Sequence, residues 1–370
     1  MEEKVLFFTG FPGFLGREIL KKVLQQDKPA KVFALVEPSM FPLARRLLEK
    51  MEGKEKVELV KGDITAEGLG IEEKKRAEIQ QKVTHAFHLA AIYDLAVKYK
   101  KAFRVNVEGT VNVLNFLEQT KKLKKFLYFS TAYVAGRRRG TVYEEELIDQ
   151  GFKNNYELTK FLAEKAVRER RNRIPTVIIR PAIVVGNSRT GEIPKFDGPY
   201  YMMNFFACFP KGLPLPYVGK GHAEVNLVPV DFIVEATLHL FSEEKALGKT
   251  FHLADPEPMK ARDIYREIHR RMKGKDPIGI TVPDFFVKVA LYVPFIRNYF
   301  KVIPQVMPYL SHQQHFDTSN SQELLFSRGI KPPHLLQYLD NLINYFLQHR
   351  KEKEKFVLGK EGRKWKTEYS

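Results

Sequence analysis

The sequence predicts an α/β protein with a doubly wound parallel sheet and a smaller, mainly helical C-terminal substrate lobe. Three observations predict this fold. Short apolar runs alternate with helical patterns over residues 5–180, as they do in consecutive βαβ units. A glycine-rich turn follows the first apolar run directly. Beyond residue 255 the pattern is mostly helical and is interrupted by prolines.

The first apolar run, residues 5–9, is followed by Gly10-Phe-Pro-Gly13-Phe-Leu-Gly16 and then by a helical pattern over residues 17–24. Gly10 permits a tight turn, Gly13 lets a pyrophosphate approach the backbone, and Gly16 lets the helix pack closely against the sheet. The N-terminus of that helix offers unpaired N–H groups to phosphate oxygens. A glycine turn between a strand and a helix therefore predicts a dinucleotide site on a Rossmann-type fold.

The second strand, residues 31–36, ends at Glu37, which follows Gly16 at the spacing of about 20 residues that is typical of a ribose-binding acid. A carboxylate at this place accepts hydrogen bonds from the adenosine ribose hydroxyls and repels a 2′-phosphate. The sequence thus favours NAD(H) over NADP(H), although Arg45 and Arg46 follow closely and could reverse the preference.

The third and fourth strands, residues 57–60 and 86–89, also lead into candidate cofactor contacts. Asp63 follows the third strand and can accept a hydrogen bond from the adenine amino group, or it can cap the next helix. Ala90 and Ala91 follow the fourth strand and are small enough for the backbone to approach the cofactor.

The fifth strand, residues 125–129, runs into Ser130-Thr131, and the sixth, residues 176–179, into Arg180-Pro181. Thr131 therefore places a hydroxyl at the carboxyl end of the sheet, where ligands bind in open α/β folds. Residues 250–253 are predicted to form the last strand.

Tyr156 and Lys160 form a candidate acid/base pair, because residues four apart lie on one face of the predicted helix. Of the sixteen tyrosines in the chain, only Tyr156 is followed by Lys at this spacing. A neighbouring ammonium stabilises a phenolate, so the pair is expected to donate and accept protons near neutral pH.

With these residues in view, the chain resembles the extended short-chain dehydrogenase/reductase family over about residues 4–255. Within that family it is most similar to the fatty acyl-CoA reductase and thioester-reductase branch, also called the male sterility type. The residues that indicate the family are Thr9 to Gly16, Gly62-Asp63, Ala90-Ala91, Asn106, Ser130-Thr131, Tyr156 and Lys160. The residues that indicate the branch lie at 129–134, 180–186, 225–231 and 316–333.

The resemblance implies an NAD(P)H-dependent reductase that converts a fatty acyl thioester of CoA or acyl carrier protein to an aldehyde or alcohol. It implies that Tyr156 is the general acid/base and that Thr131 hydrogen-bonds the same substrate oxygen. Lys160 would lower the tyrosine pKa and hold the nicotinamide ribose, and Asn106 would anchor a water in a proton relay. The cofactor contacts expected from the motifs and the resemblance together are Thr9, Gly10, Gly13, Phe14, Leu15, Gly16, Glu37, Asp63, Ile64, Ala90, Ala91, Tyr156, Lys160, Pro181 and Ile183.

Glu37 departs from the branch, whose members usually carry Arg at this place and use NADPH. The departure keeps other functions open. A 3β-hydroxysteroid dehydrogenase-like enzyme would use NAD and an apolar pocket, whereas a sugar-nucleotide epimerase or dehydratase would need polar residues for a diphosphate. A dinucleotide-sensing binding protein without catalysis is the non-enzyme alternative.

The chain has 370 residues and a formal net charge of +17, with basic clusters at residues 137–139 and 168–173 and after residue 349. Such clusters form a solvated surface or attract a phosphate-bearing ligand, an acidic carrier protein or an anionic membrane. No nucleic-acid recognition motif accompanies the charge, so nucleic acid is not an expected partner. A homodimer is compatible with the sequence.

The single cysteine, Cys208, excludes an internal disulfide framework and a cysteine-based zinc site, and no metal is expected. No uncharged apolar run is long enough to span a bilayer, and the apolar run after Lys4 is too short for a signal peptide. We therefore expect a cytoplasmic protein that either stays in solution or contacts a membrane peripherally.

Three parts are expected along the chain, and an apolar acyl channel is expected from residues 196–217 and 284–310. The parts are a dinucleotide-binding domain (residues 1–190 and 223–255), a substrate lobe (residues 191–222 and 256–350) and a basic tail (residues 351–370).

Overall fold

The computed structural model describes residues 3–352 and 355–356, and these form an α/β structure around one large parallel sheet. The strands within these residues are β1 (Val5–Thr9), β2 (Lys31–Val36), β3 (Val57–Lys61), β4 (His85–His88), β5 (Lys125–Phe129), β6 (Gly140–Val142), β7 (Thr176–Pro181), β8 (Ile183–Val185), β9 (Pro216–Val218), β10 (Leu227–Pro229), β11 (Thr250–Leu253), β12 (Ile278–Val282) and β13 (Gln314–Phe316). The α-helices within them are α1 (Phe14–Gln26), α2 (Phe41–Leu48), α3 (Glu73–Lys82), α4 (Tyr99–Ala102), α5 (Gly109–Glu118), α6 (Asn155–Arg168), α7 (Tyr200–Ala207), α8 (Val230–Ser242), α9 (Ala261–Lys273), α10 (Asp284–Tyr292), α11 (Pro294–Phe300), α12 (Ser319–Leu324) and α13 (Leu339–His349).

The large sheet has seven strands in the order β11-β7-β5-β4-β1-β2-β3, and every neighbouring pair is parallel. The strand order reverses beside β1, which is where open α/β sheets leave a crevice for a ligand. The doubly wound α/β class predicted from the sequence is confirmed.

Both faces of the sheet are covered, which explains why its strands are continuously apolar. Side chains of β1 alternate between two core clusters. Leu6 and Phe8 join a cluster with residues of α1 and α8, whereas Phe7 joins a cluster with residues of α3, α5 and α6. The helices on the two faces thereby fix the carboxyl edge of the sheet, where the predicted site residues lie.

The predicted element boundaries are close to those observed for the large sheet, but two features differ. The helix expected to begin at Asn106 is preceded by π-helical backbone over Phe103–Glu108, and regular α5 begins at Gly109. The sequence also did not predict the short strands β6, β8, β9, β12 and β13. These strands have three to five residues and pair with distant segments, so they carry no periodic pattern of their own.

A third core cluster gathers α7, α9 and α13 beside the large sheet. It contains apolar residues from 193–217, 225–227, 261–268 and 335–346. This cluster supports our proposal that residues 191–222 and 256–350 form a substrate lobe. Most of the predicted basic tail, residues 353–354 and 357–370, lies outside the described residues.

Helices α10 and α11 present an apolar surface to solvent. Phe285, Phe286, Tyr292 and Phe295 are each more than half exposed, between 62% and 78%. The expectation that residues 284–310 supply side chains to an apolar channel therefore does not extend to these exposed side chains. Within the described part of the chain, no helix combines the length and the apolar character that crossing a membrane requires.

Candidate active site

A cavity of about 470 Å³ opens at the carboxyl edge of the large sheet. Its walls come from the β1–α1 turn, residues 89–96, the end of β5, α6 and the β7–β8 connection. Residues 193–202 and 303–310 close the other side with mostly apolar side chains. The cavity therefore joins the predicted dinucleotide turn to the predicted substrate lobe.

The glycine positions of the turn have no room for a side chain. Gly10 adopts φ 97°, and a Cβ there would come within 2.7 Å of the Leu89 Cβ. A Cβ on Gly16 would collide with the carbonyl oxygen of Gly10. The bare backbone and the N-terminus of α1 thus leave a cradle that fits the pyrophosphate of a dinucleotide.

Helix α6 presents the predicted acid/base pair to the cavity. Asn154 caps the helix by accepting a hydrogen bond from the Glu157 N–H at 3.0 Å. Lys160 is buried and donates from Nζ to the Phe129 carbonyl oxygen at 2.6 Å and to the Tyr128 hydroxyl at 3.3 Å. Tyr156 is 9% exposed and its ring meets that of Tyr93 edge to face, with centroids 5.2 Å apart.

Thr131, Tyr156 and Lys160 all line the cavity, and the Thr131 hydroxyl donates to the Pro181 carbonyl oxygen at 3.5 Å. Burial raises the pKa of Tyr156, and the neighbouring Thr131 hydroxyl opposes that rise only in part. The expectation that Lys160 lowers the tyrosine pKa is not met, because its ammonium donates to Phe129 and Tyr128 instead. Tyr156 is therefore a protonated acid at neutral pH.

The pKa of Lys160 is lowered to about 8 by burial, against the opposing charge of Glu164. Lys160 thus loses its ammonium charge as the pH rises through about 8. Since Lys160 is predicted to hold the nicotinamide ribose through its ammonium, kcat/KM for carbonyl reduction is expected to fall above about pH 8. Tyr156 cannot produce this limb, because its own pKa is raised from 10.

A pH profile of kcat/KM checks this expectation, with Lys160→Arg as the comparison, because a guanidinium keeps its charge across the range. The limb should disappear in the Arg variant at whatever activity that variant retains. A limb near pH 8 that is unchanged in Lys160→Arg would assign it to another group.

The structure brings most of the predicted residues to the cavity and leaves the others outside it. Those that line it are Gly10, Gly13, Phe14, Leu15, Gly16, Ala90, Ala91, Thr131, Tyr156, Lys160, Pro181 and Ile183. Those that do not line it are Thr9, Glu37, Asp63, Ile64 and Asn106.

Glu37 and Asp63 lie at the carboxyl ends of β2 and β3. Glu37 is exposed and accepts a hydrogen bond from the Ser39 hydroxyl at 2.7 Å. Asp63 accepts from the Thr65 N–H at 2.8 Å, so it acts as a turn cap whatever else it binds. Ile64 is buried, and a Cβ on Gly109 would strike it. Their predicted cofactor contacts stay predictions.

Thr9 acts behind the cavity wall. Its hydroxyl pairs with His88 Nδ1 at 2.7 Å, and His88 Nε2 pairs with the Thr110 hydroxyl at 3.1 Å. The same Thr9 oxygen accepts from the Ala90 N–H at 3.3 Å. Thr9 therefore positions the backbone of Ala90 instead of facing the cavity.

Asn106 also holds the wall. Its Oδ1 accepts from the Ile92 N–H at 2.8 Å, and its Nδ2 donates to the Thr159 hydroxyl at 3.0 Å. The amide thus connects residues 89–96 to α6, and it projects from the π-helical turn that the sequence did not predict. The predicted role of Asn106 in a water relay stays a prediction.

A buried ion pair under the site was missed from the sequence. Arg180 donates to both oxygens of Glu164, at 2.7 Å from Nη2 and 3.0 Å from Nε, and Ser130 donates to Glu164 at 2.6 Å. Glu164 lies four residues after Lys160 on α6, and Arg180 is the last residue but one of β7. The sequence shows both positions, but it does not show that the two side chains form a pair. These hydrogen bonds connect the end of β5, helix α6 and the end of β7.

The chain is similar to known proteins in both sequence and structure. Residues 8–237 match the family described as male sterility protein, an NAD-binding domain. The fatty acyl-CoA reductase wat of Drosophila melanogaster is 25% identical over 277 residues, covering 64% of this chain and 54% of that protein. Nonribosomal peptide synthetase asaC of Aspergillus flavus is 28% identical over 286 residues, covering 71% of this chain and 27% of that protein.

Two solved structures share the fold. The terminal R domain of the myxalamid PKS-NRPS pathway has a TM-score of 0.79 and 22% identity, covering 95% of this chain and 92% of that one. UDP-glucuronic acid 4-epimerase from Bacillus cereus, solved with NAD, has a TM-score of 0.64 and 19% identity, covering 93% and 99%. The chain spans about half the length, 54%, of the fatty acyl-CoA reductase that it matches.

Proposed function

The chain belongs to the male sterility protein family of NAD-binding domains, a group within the extended short-chain dehydrogenases/reductases, and on that premise we propose that it reduces a fatty acyl thioester with NAD(P)H. One observation supports this most strongly. A single, mostly apolar cavity contains the glycine cradle, the Thr131–Tyr156–Lys160 set and the apolar wall of the C-terminal lobe.

The glycine turn and Lys160 would hold the nicotinamide cofactor, which supplies a hydride to the substrate carbonyl carbon when it is bound. Tyr156 then donates its proton to the carbonyl oxygen, because its raised pKa keeps it protonated until a more basic oxygen develops. The Thr131 hydroxyl, which neighbours the Tyr156 phenol, would stabilise negative charge at that oxygen.

With a thioester, reduction of the carbonyl gives a hemithioacetal. Breaking its carbon–sulfur bond releases the thiol and leaves an aldehyde, and a second reduction of that aldehyde gives the alcohol. CoA and an acyl carrier protein are the proposed thiol carriers. The aldehyde is the first product whether the reaction stops there or continues to the alcohol.

The cavity wall favours an aliphatic chain. Leu227, Ile264, Ile303 and Val306 line it opposite the acid/base set. Burying an acyl chain against such side chains contributes about 0.8 kcal/mol per CH₂ group. The predicted channel segments thus contribute in part, through residues near 197–202 and 303–310.

A nucleotide sugar fits this wall less well, because the charge of Lys195, a lining cation, is matched by Asp197 at 3.3 Å. A sterol is also apolar, so a 3β-hydroxysteroid dehydrogenase-like activity is the second candidate.

One assay separates these functions. The change in NADH and NADPH absorbance is followed with long-chain acyl-CoA, acyl carrier protein thioesters and fatty aldehydes, and the reverse change with NAD and a 3β-hydroxysterol. Consumption of reduced cofactor with the thioesters supports the proposal. Turnover of the sterol alone would overturn it.

The nucleotide preference is proposed to follow from Glu37, whose exposed carboxylate lies at the end of β2. The wild-type protein is expected to bind NADH more tightly than NADPH, because a carboxylate repels the 2′-phosphate. Glu37→Arg should shift the ratio of the two affinities by about tenfold or more toward NADPH. Titration of both nucleotides checks this. A wild-type preference for NADPH would contradict the proposal directly.

The apolar surface of α10 and α11 is proposed to contact an anionic membrane peripherally. Phe285 and Phe295 are 65% and 78% exposed, and Lys288 and Arg297 lie on the same two helices. Such a mixture is typical of interfacial segments. Phe285→Ser/Phe295→Ser should weaken cosedimentation with anionic vesicles by about tenfold or more, since burying each ring contributes about 1.5–3 kcal/mol. Tyr143→Ser, at another exposed aromatic residue, should leave it unchanged.

Equal sedimentation of the double variant and the wild-type protein would assign vesicle binding to another surface.

A further inference from the structure

A second cavity, of about 400 Å³, lies beside the catalytic one and is strongly basic. Its lining residues are Arg137, Arg139, Lys153, Lys288, Pro308, Ser311 and His312. No acid lines it. Arg137, Arg139 and Lys288 are exposed, so the cavity is open to a ligand from solution.

The charges of this basic cavity are largely uncompensated. Among residues 3–352 and 355–356, the only acid that pairs with one of its cations is Glu157, 3.4 Å from Lys153. Arg137 donates from Nε to the Phe152 carbonyl oxygen at 3.0 Å, which does not neutralise it. Neither Arg139 nor Lys288 forms an ion pair within those residues. Crowded like charges cost free energy, and a bound anion would recover it.

The positive charges of these cations shift the pKa values of neighbouring groups. Burial lowers the pKa of His312, and the charges of Lys153 and Arg139 lower it further. Burial likewise lowers the pKa of Lys153, and Arg137 adds to this effect. The cations therefore act on one shared volume. Arginine and lysine together around such a volume favour phosphate, whose several oxygens accept from both.

The basic cavity shares a wall with the catalytic cavity. Along one segment, Val306, Tyr309 and Leu310 line the catalytic cavity, whereas Pro308 and Ser311 line the basic cavity. Ligand groups in the two cavities would thus be separated by only one layer of chain.

Lys153 of the basic cavity also contacts this shared wall through Tyr309. The Lys153 ammonium lies 5.2 Å from the centroid of the Tyr309 ring, and Tyr309 donates to Glu157 at 2.6 Å. Glu157 is the neighbour of Tyr156 on α6, so occupation of the basic cavity and the position of the catalytic helix are physically linked.

We propose that the basic cavity binds the phosphate groups of the thiol carrier while its acyl thioester lies in the catalytic cavity. The inference rests on the proposed function and names the part of the substrate that function leaves open. The chemistry is that of a phosphopantetheine arm, in which a thiol is joined by a long amide chain to phosphate. Free CoA and a modified carrier protein both provide it.

The test uses the double variant Arg139→Glu/Lys288→Glu, which changes two exposed side chains and no residue of the acid/base set. Its control is Lys22→Glu/Lys74→Glu, which changes the net charge equally at exposed sites on α1 and α3. Substrates are the same acyl chain on CoA, on 4′-phosphopantetheine, on carrier protein and on N-acetylcysteamine, which has no phosphate.

The KM for acyl-CoA is expected to rise about tenfold or more in the double variant, equivalent to about 1.4 kcal/mol. The KM for the N-acetylcysteamine thioester and for the nicotinamide cofactor should not change, and the control variant should match the wild type. An unchanged KM for every phosphate-bearing substrate would overturn the proposal. An equal rise with N-acetylcysteamine would also overturn it, since that substrate has no phosphate.

The same experiment distinguishes the phosphates of CoA from the single phosphate of a carrier-protein arm. A larger effect on acyl-CoA than on acyl-phosphopantetheine assigns the cavity to the additional phosphates of CoA. An equal effect on the carrier protein and phosphopantetheine thioesters assigns it to the single phosphate of a carrier arm.

Direct binding separates failure of this inference from failure of the proposed function. Titration with CoA alone should show binding that the double variant loses, whether or not any thioester is reduced. If the wild-type protein binds neither CoA nor 4′-phosphopantetheine, the inference is wrong even if thioesters turn over. Loss of UDP-glucuronate binding in the double variant, without CoA binding to the wild type, would give the cavity to a nucleotide sugar instead.

Discussion

Tyr156→Phe is expected to lower kcat for carbonyl reduction by about 10²–10⁴-fold, the usual contribution of a positioned general acid. The change removes one oxygen from a buried ring that packs against Tyr93, so the ring and its packing are retained. The Thr131 hydroxyl alone cannot replace the proton that Tyr156 donates. Stopped-flow or steady-state absorbance of the reduced cofactor measures the loss.

Two controls test whether the loss of kcat comes from the missing proton of the Tyr156 phenol. Cofactor affinity, measured by fluorescence titration, should stay within about threefold of the wild type, because the glycine turn is untouched. Tyr143→Phe, at an exposed tyrosine away from the cavity, should retain wild-type kcat. Wild-type kcat in Tyr156→Phe would show that another group donates the proton and would remove the acid/base assignment.

The ion pair between Glu164 and Arg180 is expected to give the largest effect on stability. Both side chains are fully buried, and Arg180 also donates to the carbonyl oxygens of Glu144 and Glu146. Replacing Glu164 with Leu would leave the guanidinium buried without its charge partner. The free energy of unfolding should fall by about 3–5 kcal/mol, which is the usual result of breaking a buried pair from one side. Urea denaturation followed by circular dichroism measures it.

The double replacement Glu164→Leu/Arg180→Met distinguishes an unpaired charge from lost packing. Removing both charges should be less destabilising than Glu164→Leu alone, because no buried ion is left without a partner. If the two losses simply add, the pair is not coupled and the explanation fails.

The same pair sets an acid limit to stability. Burial alone would raise the pKa of Glu164, but Arg180 and Arg168 outweigh it and lower the pKa to about 2. Because the folded pKa lies below the unfolded value of 4.5, the contribution of Glu164 is fully present above about pH 4.5. It is lost as the pH falls toward 2.

His252 belongs to the same network, and its contribution to stability is also lost on acidification, as the pH falls from the unfolded value of 6.5 toward 3. Its pKa is lowered to about 3, first by burial and then by the charge of Arg180. The neutral ring accepts from Arg180 at Nε2, 3.1 Å away, and donates from Nδ1 to the Asp317 carbonyl oxygen at 2.7 Å. Protonation would convert an acceptor into a donor that faces a guanidinium, so the network opens on acidification through both groups.

Much of the cofactor half of the site could be predicted from local patterns. The glycines, the strand ends and the Tyr156–Lys160 spacing are each encoded within a few residues, and the parallel sheet brings all strand ends to one edge. Thr9 was predicted as a cofactor contact and this stays a prediction, but Thr9 does not line the cavity and its hydroxyl pairs with His88. Strand alternation decides which face a side chain takes, and a motif match alone does not resolve it.

Other features depend on contacts between distant segments. Lys160 was expected to lower the pKa of Tyr156, but folding places its ammonium against Phe129 and Tyr128. The basic cavity joins residues near 137, 153, 288 and 312, which share no sequence pattern. The exposure of α10 could not be read from its composition either, because a buried helix and a surface helix of this kind have similar residues.

The sequence by itself thus determined the fold class and the glycine turn and predicted the Thr–Tyr–Lys set, because each follows from local spacing and from the periodicity of strands and helices. Only the tertiary structure decided the burial of Tyr156, the pairing of Glu164 with Arg180 and the shared wall between the two cavities. These depend on burial and on distances between residues far apart in the chain, and electrostatic energies change steeply with both.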